Sequence, residues 1–106
     1  MATFISTIKF TQQGIADIDE STKRATAFKA AAKKLGIKVT NIFWTLGEYD
    51  GLLILEAPDD ETAMTALLHL ASLGNLHTTT VRAFTAAEMD KIFVKHKAGK
   101  IGFAAK

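Results

Sequence analysis

No cysteine occurs in the sequence, which excludes disulfide bridges, thiol nucleophiles and thiolate-held zinc or iron–sulfur clusters. A reducing, cytoplasmic setting is the expectation for such a chain. Also missing are an apolar run near the ~20 residues of a membrane span and a basic segment leading into an apolar one at the start. The chain therefore reads as soluble and untargeted, with no membrane partner. His69, His77 and His96 have no metal-ligand spacing, and there is no glycine-rich phosphate loop, serine elbow or pair of facing carboxylates. No metal site is expected and no cofactor is assigned; any catalysis would be cofactor-free or would use a bound organic group.

What is present is one domain's worth of chain. At 106 residues a single core forms without covalent staples. The net charge of +2 is unevenly placed: residues 1–93 hold nine Lys/Arg against eleven Asp/Glu, and Lys95, Lys97, Lys100 and Lys106 supply the excess. This divides the chain into a domain over residues 1–94 and a basic, mobile tail over 95–106. Lys23, Arg24, Lys29, Lys33, Lys34 and Lys38 form a further run without intervening acids. With no aromatic side chains among them to stack bases, they read as a solvated helix face, and a nucleic-acid partner is not expected.

Thr3–Phe10 is β-branched and aromatic, a first strand closed by Thr11-Gln12-Gln13-Gly14. From about Ile15 to Leu35 the apolar residues Ile18, Ala25, Phe28, Ala32 and Leu35 recur at helical spacing, with acids early, lysines late and Gly36 as the stop. Ile37–Leu46 and Leu52–Ala57 are two strands only five residues apart, hence a hairpin. Pro58-Asp59-Asp60-Glu61 starts a helix over Asp60–Leu73, stopped at Gly74-Asn75. Leu76–Phe84 is a fourth strand and Ala86–Val94 a short last helix. Strand, helix, strand, strand, helix, strand is the α+β, ferredoxin-like βαββαβ pattern, whose antiparallel sheet has the order 4-1-3-2 with both long helices on one face.

The other face then needs a cover. In the third strand Leu53, Leu55 and Ala57 share one parity and Leu52 and Ile54 the other; Phe4, Ile8 and Phe10 oppose Ile5, and Phe43 opposes Ile42, Trp44 and Leu46. Leaving several such side chains in water forfeits roughly 1.5–3 kcal/mol each. A homodimer or higher oligomer through the sheet face, the dimeric α/β barrel, is expected.

This topology brings Lys9, Tyr49, Asp50, Asn75 and His77 to one edge of the sheet, with the start of the first helix nearby. The expected separation of Asp50 and His77 is about 10 Å, two strand spacings, which a small ligand could bridge. If Val81 and Ala83 face the helices, His77 and Thr79 line a cleft between sheet and helices; Leu76 and Phe84 favour the opposite parity. Tyr49 and Asp50 also make sense as turn residues, a tyrosine packing back over the core and an aspartate setting the hairpin. His69 reads as a helix-surface or interface residue.

Gly47, Tyr49 and Asp50 at the hairpin tip resemble the signature of the GYD-domain family. The likeness extends through Arg24, Trp44-Thr45-Leu46-Gly47, Glu56-Ala57-Pro58-Asp59, and Gly74-Asn75 to Thr80, Arg82, Ala83 and Phe84. It implies a branch of the dimeric α/β-barrel superfamily and no established activity. Two departures stand out: Gly51, where a larger apolar residue is more usual, and His77, where a basic residue such as arginine is expected.

The reading that asks least of these residues is an oligomeric small-molecule-binding domain, its ligand held by Tyr49, Asp50 and His77 with Trp44 and Asn75 beside them. The alternative is a cofactor-free monooxygenase or isomerase using Trp44, Tyr49 and a histidine, which rests on fold analogy. Nucleic-acid binding through the first helix and the tail ranks last.

Overall fold

A computed structural model describes residues 1–99 of the chain. Its frame is a four-stranded antiparallel sheet in the order β2-β3-β1-β4, the expected order read from the other edge. The central strand β1 (Ala2–Phe10) pairs on one side with β3 (Gly51–Ala57) and on the other with β4 (Leu76–Ala83), while β2 (Lys38–Trp44) lies outside β3.

Alternation sorts the side chains. Phe4, Ser6 and Ile8 of β1 and Gly51, Leu53, Leu55 and Ala57 of β3 are buried, opposed as Phe4 to Leu55, Ser6 to Leu53 and Ile8 to Gly51. Over this face lie Phe28 and Ala32 of α2 (Ser21–Lys34) and Ala63, Ala66 and Leu67 of α3 (Asp60–Ser72), closing one core. Ser6 needs a partner in that apolar setting, and its hydroxyl meets Thr80 Oγ1 at 2.7 Å.

The first helical region is broken where the periodicity predicts one helix. Thr11 caps α1 (Gln12–Ala16), its Oγ1 accepting from the Gly14 N–H at 3.1 Å, and a single 3-10 turn over Ile18–Glu20 leads into α2. Ile18 and Leu35, expected on the buried stripe, are 40% and 44% exposed. The break follows from docking. Thr11 Oγ1 donates to Gly74 O at 2.6 Å, its N–H to Asn75 O at 3.0 Å, and Gln13 Nε2 to Leu73 O at 3.1 Å. These bonds pull α1 onto the α3–β4 turn, out of line with α2.

β2 stops at Trp44 because the tip closes on itself, Thr45 Oγ1 donating to the Tyr49 carbonyl at 2.6 Å. The last helix, α4 (Ala86–Ala98), runs past the expected end at Val94. Thr85 and Glu88 make a reciprocal capping box at its start, and Lys95, His96 and Lys97 occupy its last turn, where the helix dipole favours them. The start of the lysine-rich segment is thus helical; residues 100–106 lie outside the described part. Among the described residues no helix is long and apolar enough to cross a membrane.

Candidate functional site

The helices do not fill the space above the sheet. A cavity of about 190 Å³ opens at the edge where β1 and β2 end and β3 and β4 begin, under the first turns of α2 and the last turns of α3. Ile8, Phe28, Ile42 and Leu53 give it an apolar interior. Ser21, Arg24, Trp44, Asp50, His69 and Asn75 bring polar atoms to its lining. Gly51 contributes by having no side chain, since it sits on the buried face opposite Ile8 and between Leu53 and the tip.

Trp44 is placed by its indole N–H, which donates to the buried Ser21 Oγ at 2.8 Å and ties the end of β2 to the start of α2. Asp50 is committed three times over. Its N–H donates to Ile8 O at 2.8 Å, its carbonyl accepts from Thr45 N–H at 2.9 Å, and its carboxylate Oδ2 accepts from Phe10 N–H at 2.9 Å. The aspartate therefore clamps the hairpin tip to the end of β1, beyond the hairpin-turn role read from its sequence, while its side chain also borders the cavity. Asn75 accepts at both oxygens, from Thr11 N–H at 3.0 Å and from Gln13 Nε2 at 2.9 Å.

Tyr49 and His77 are not in the cavity lining. Tyr49 is 39% exposed at the tip. His77 corrects the parity that would have put it in the cleft. The register opposes Phe10 to Leu76 and Ile8 to Thr78, so Leu76, Thr78, Thr80 and Arg82 face the helices, and His77 stands opposite Lys9 on the outer face. Leu76 decides this physically, packing with Phe10 against the core while Val81 stays 56% exposed. A ligand in the cavity cannot bridge Asp50 and His77.

Three residues not proposed for the site line it instead: Ser21, Arg24 and His69. Arg24 donates to the Asp17 carbonyl at 3.0 Å and the Gly14 carbonyl at 3.5 Å, closing the end of α1. The two ion pairs among the described residues, Lys23 with Glu20 and Arg82 with Glu88, leave it without a carboxylate. For the two on α2 a partial signal existed. Ser21 and Arg24 lie seven and four residues before Phe28, on the same helical stripe. Among the described residues no group of three or more His, Asp or Glu side chains could hold a metal ion.

An α+β sheet-and-two-helix domain with an apolar cavity at one strand edge is a ferredoxin-like domain. A family model described as the GYD domain matches residues 4–93. The chain belongs to the GYD-domain family. It is 31% identical over 90 residues to a Thermus thermophilus protein described as "Glutamine synthetase and cystathionine beta-lyase binding protein", spanning 84% of this chain and 95% of that one. A crystal structure of a Thermus thermophilus protein superposes with a TM-score of 0.53 at 23% identity, covering 81% of this chain and 96% of that chain. That second likeness supports the fold.

Proposed function

We propose that the protein is a self-associating binding domain that takes a small, mostly apolar molecule with one polar end into the cavity between sheet and helices. The observation that carries this is the unfilled apolar space itself, with polar atoms confined to Ser21, Arg24, Trp44, Asp50, His69 and Asn75. An apolar cavity of about 150 Å³ takes a benzene ring, so this one suits a single ring with a short substituent. The monooxygenase or isomerase alternative loses the histidine it relied on, since His77 faces away, and has only His69 in its place.

A panel of single-ring acids, phenols and amines, titrated while the methyl signals of Ile42 and Leu53 are followed by NMR, tests the proposal. Saturable shifts are expected with the native chain. Gly51→Val is expected to abolish them, because a side chain there enters the cavity and its Cβ already meets Phe43 O at 3.1 Å and Ile8 Cβ at 3.5 Å. No saturable shift with any member rejects the ligand reading.

The outer face supports a second element of the proposal. Ile5, Leu52, Ile54, Phe43 and Val81 line up across the four strands on the side away from the helices, Ile5 opposite both Ile54 and Val81. A second copy is the partner proposed for it, through the same residues on both sides of a two-fold axis. Binding to metabolic enzymes, as the description of the Thermus relative has it for that protein, is the competing use of this face. Addition of glutamine synthetase to the dimer separates the two, since a competing partner would dissociate it.

A further inference from the structure

Two other apolar surfaces lie uncovered among the described residues, and they match. The first is on α4, where Met89, Ile92 and Phe93 recur at helical spacing and Ile92 and Phe93 are 38% and 52% exposed. The helix packs on no other described element as the other helices do. Thirteen residues form a marginal helix in water without tertiary contacts. The second is a shallow groove of about 390 Å³ between α3 and β4, its α3 wall formed by Met64, Leu68 and Ala71 and its β4 wall by Thr78, Thr80, Val81 and Arg82, with Asp60 also in its lining. No described residue of α4 enters it.

α4 is directed away from its own groove by fixed contacts. The Arg82 guanidinium donates to Glu88 Oε2 at 3.4 Å, to Thr3 O at 3.4 Å and to Ala83 O, and it stacks on the Phe84 ring at 4.4 Å. Thr85 N–H donates to Glu88 Oε1 at 2.8 Å, and Glu88 N–H to Thr85 Oγ1 at 3.2 Å. Folding α4 back at Thr85 would break this set. Seating in a neighbouring chain's groove would require none of these bonds to break.

We propose that α4 is an exchanged arm, its Met89–Ile92–Phe93 stripe seated in the α3–β4 groove of a second copy, which returns its own α4. The charges fit an antiparallel seating. The first turn of α3 carries Asp60 and Glu61, and the last turn of α4 carries Lys95, His96 and Lys97. Side by side in opposite directions, the two helices also oppose their dipoles. This contact is independent of the ligand cavity and shares only Val81 with the outer sheet face.

The absence of native cysteine makes the test clean. Leu68→Cys and Phe93→Cys, both at exposed positions, are prepared as separate chains, mixed and oxidised. The expected result is near-complete conversion to a disulfide-linked pair of one chain of each kind, with little linked product from either alone. A chain carrying both changes should give linked dimers at high dilution. Internal closure of that double variant would overturn the proposal by showing that α4 packs on its own groove. A mixture that links no better than the single variants would overturn it as well. As a second readout, Phe93→Asp and Leu68→Asp should raise the concentration for half-association by similar factors, with no further loss when combined. Weakening by the α4 change alone would contradict the groove as its seat.

Discussion

Gly14 is buried where α1 crosses the α3–β4 turn, and a Cβ there would lie 2.0 Å from the Asn75 carbonyl oxygen. Backbone cannot swing aside as a flexible side chain can. Gly14→Ala is therefore expected to lower stability by about 2 kcal/mol, the usual scale of forced overpacking, measured as a reduced urea midpoint with an unchanged m-value. Nothing in Gln13-Gly14-Ile15 announces that contact, because the oxygen it meets is 61 residues further along the chain. Asp50 was legible as a hairpin-tip residue, where its carbonyl accepts from Thr45 N–H at 2.9 Å. Its bond to Phe10 N–H was not, being a meeting of two chain segments 40 residues apart.

At the level of elements, two helix starts carry a carboxylate in their capping bonds, of which the one at Asp59 was signalled by Pro58-Asp59-Asp60-Glu61. The Thr62 N–H at the start of α3 holds the Asp59 carboxyl below its ordinary 3.8, and the Thr85 N–H holds Glu88 below 4.5 at the start of α4. A carboxylate with a lowered folded value contributes stability that is complete above its ordinary value and is lost as pH falls through the lower folded one. Acidification across that range should fray α4 first, because little besides its cap and the Arg82 contacts hold it. Amide hydrogen exchange across Ala86–Val94 should accelerate in acid relative to the β1 core, and Glu88→Gln should flatten that relative response. The strands were equally legible from alternation and the β2–β3 pairing from the short hairpin loop, while the pairings of β1 followed from the ferredoxin-like element order. The break between α1 and α2 was not, because apolar spacing carried on through a segment whose direction is set by bonds to the distant Gly74 and Asn75.

For the molecule as a whole, the proposed sheet pairing is tested at the centre of the outer face. Ile54 lies on the outer face beside Ile5 and opposite the core residues Leu53 and Leu55. Ile54→Asp is expected to break the proposed sheet pairing with little loss of fold, read as a light-scattering mass falling to that of a pair joined by α4 alone, because a charge at the centre of an apolar interface has no partner. An unchanged mass would place self-association elsewhere, on α4 among other surfaces.

The sequence by itself determined the strands, the hairpin, the helix after Pro58 and the apolar outer face, because each depends on periodicity and on short connections within one segment, and their succession gave the sheet order through the ferredoxin-like pattern. It also named Trp44, Asp50 and Asn75, which the structure gathers around one cavity. Only the tertiary structure decided that His77 faces away while Ser21, Arg24 and His69 face in. Strand parity is fixed by which neighbour wins burial, here Leu76 against Phe10, and a one-residue difference in that contest sends every side chain of β4 to the opposite face.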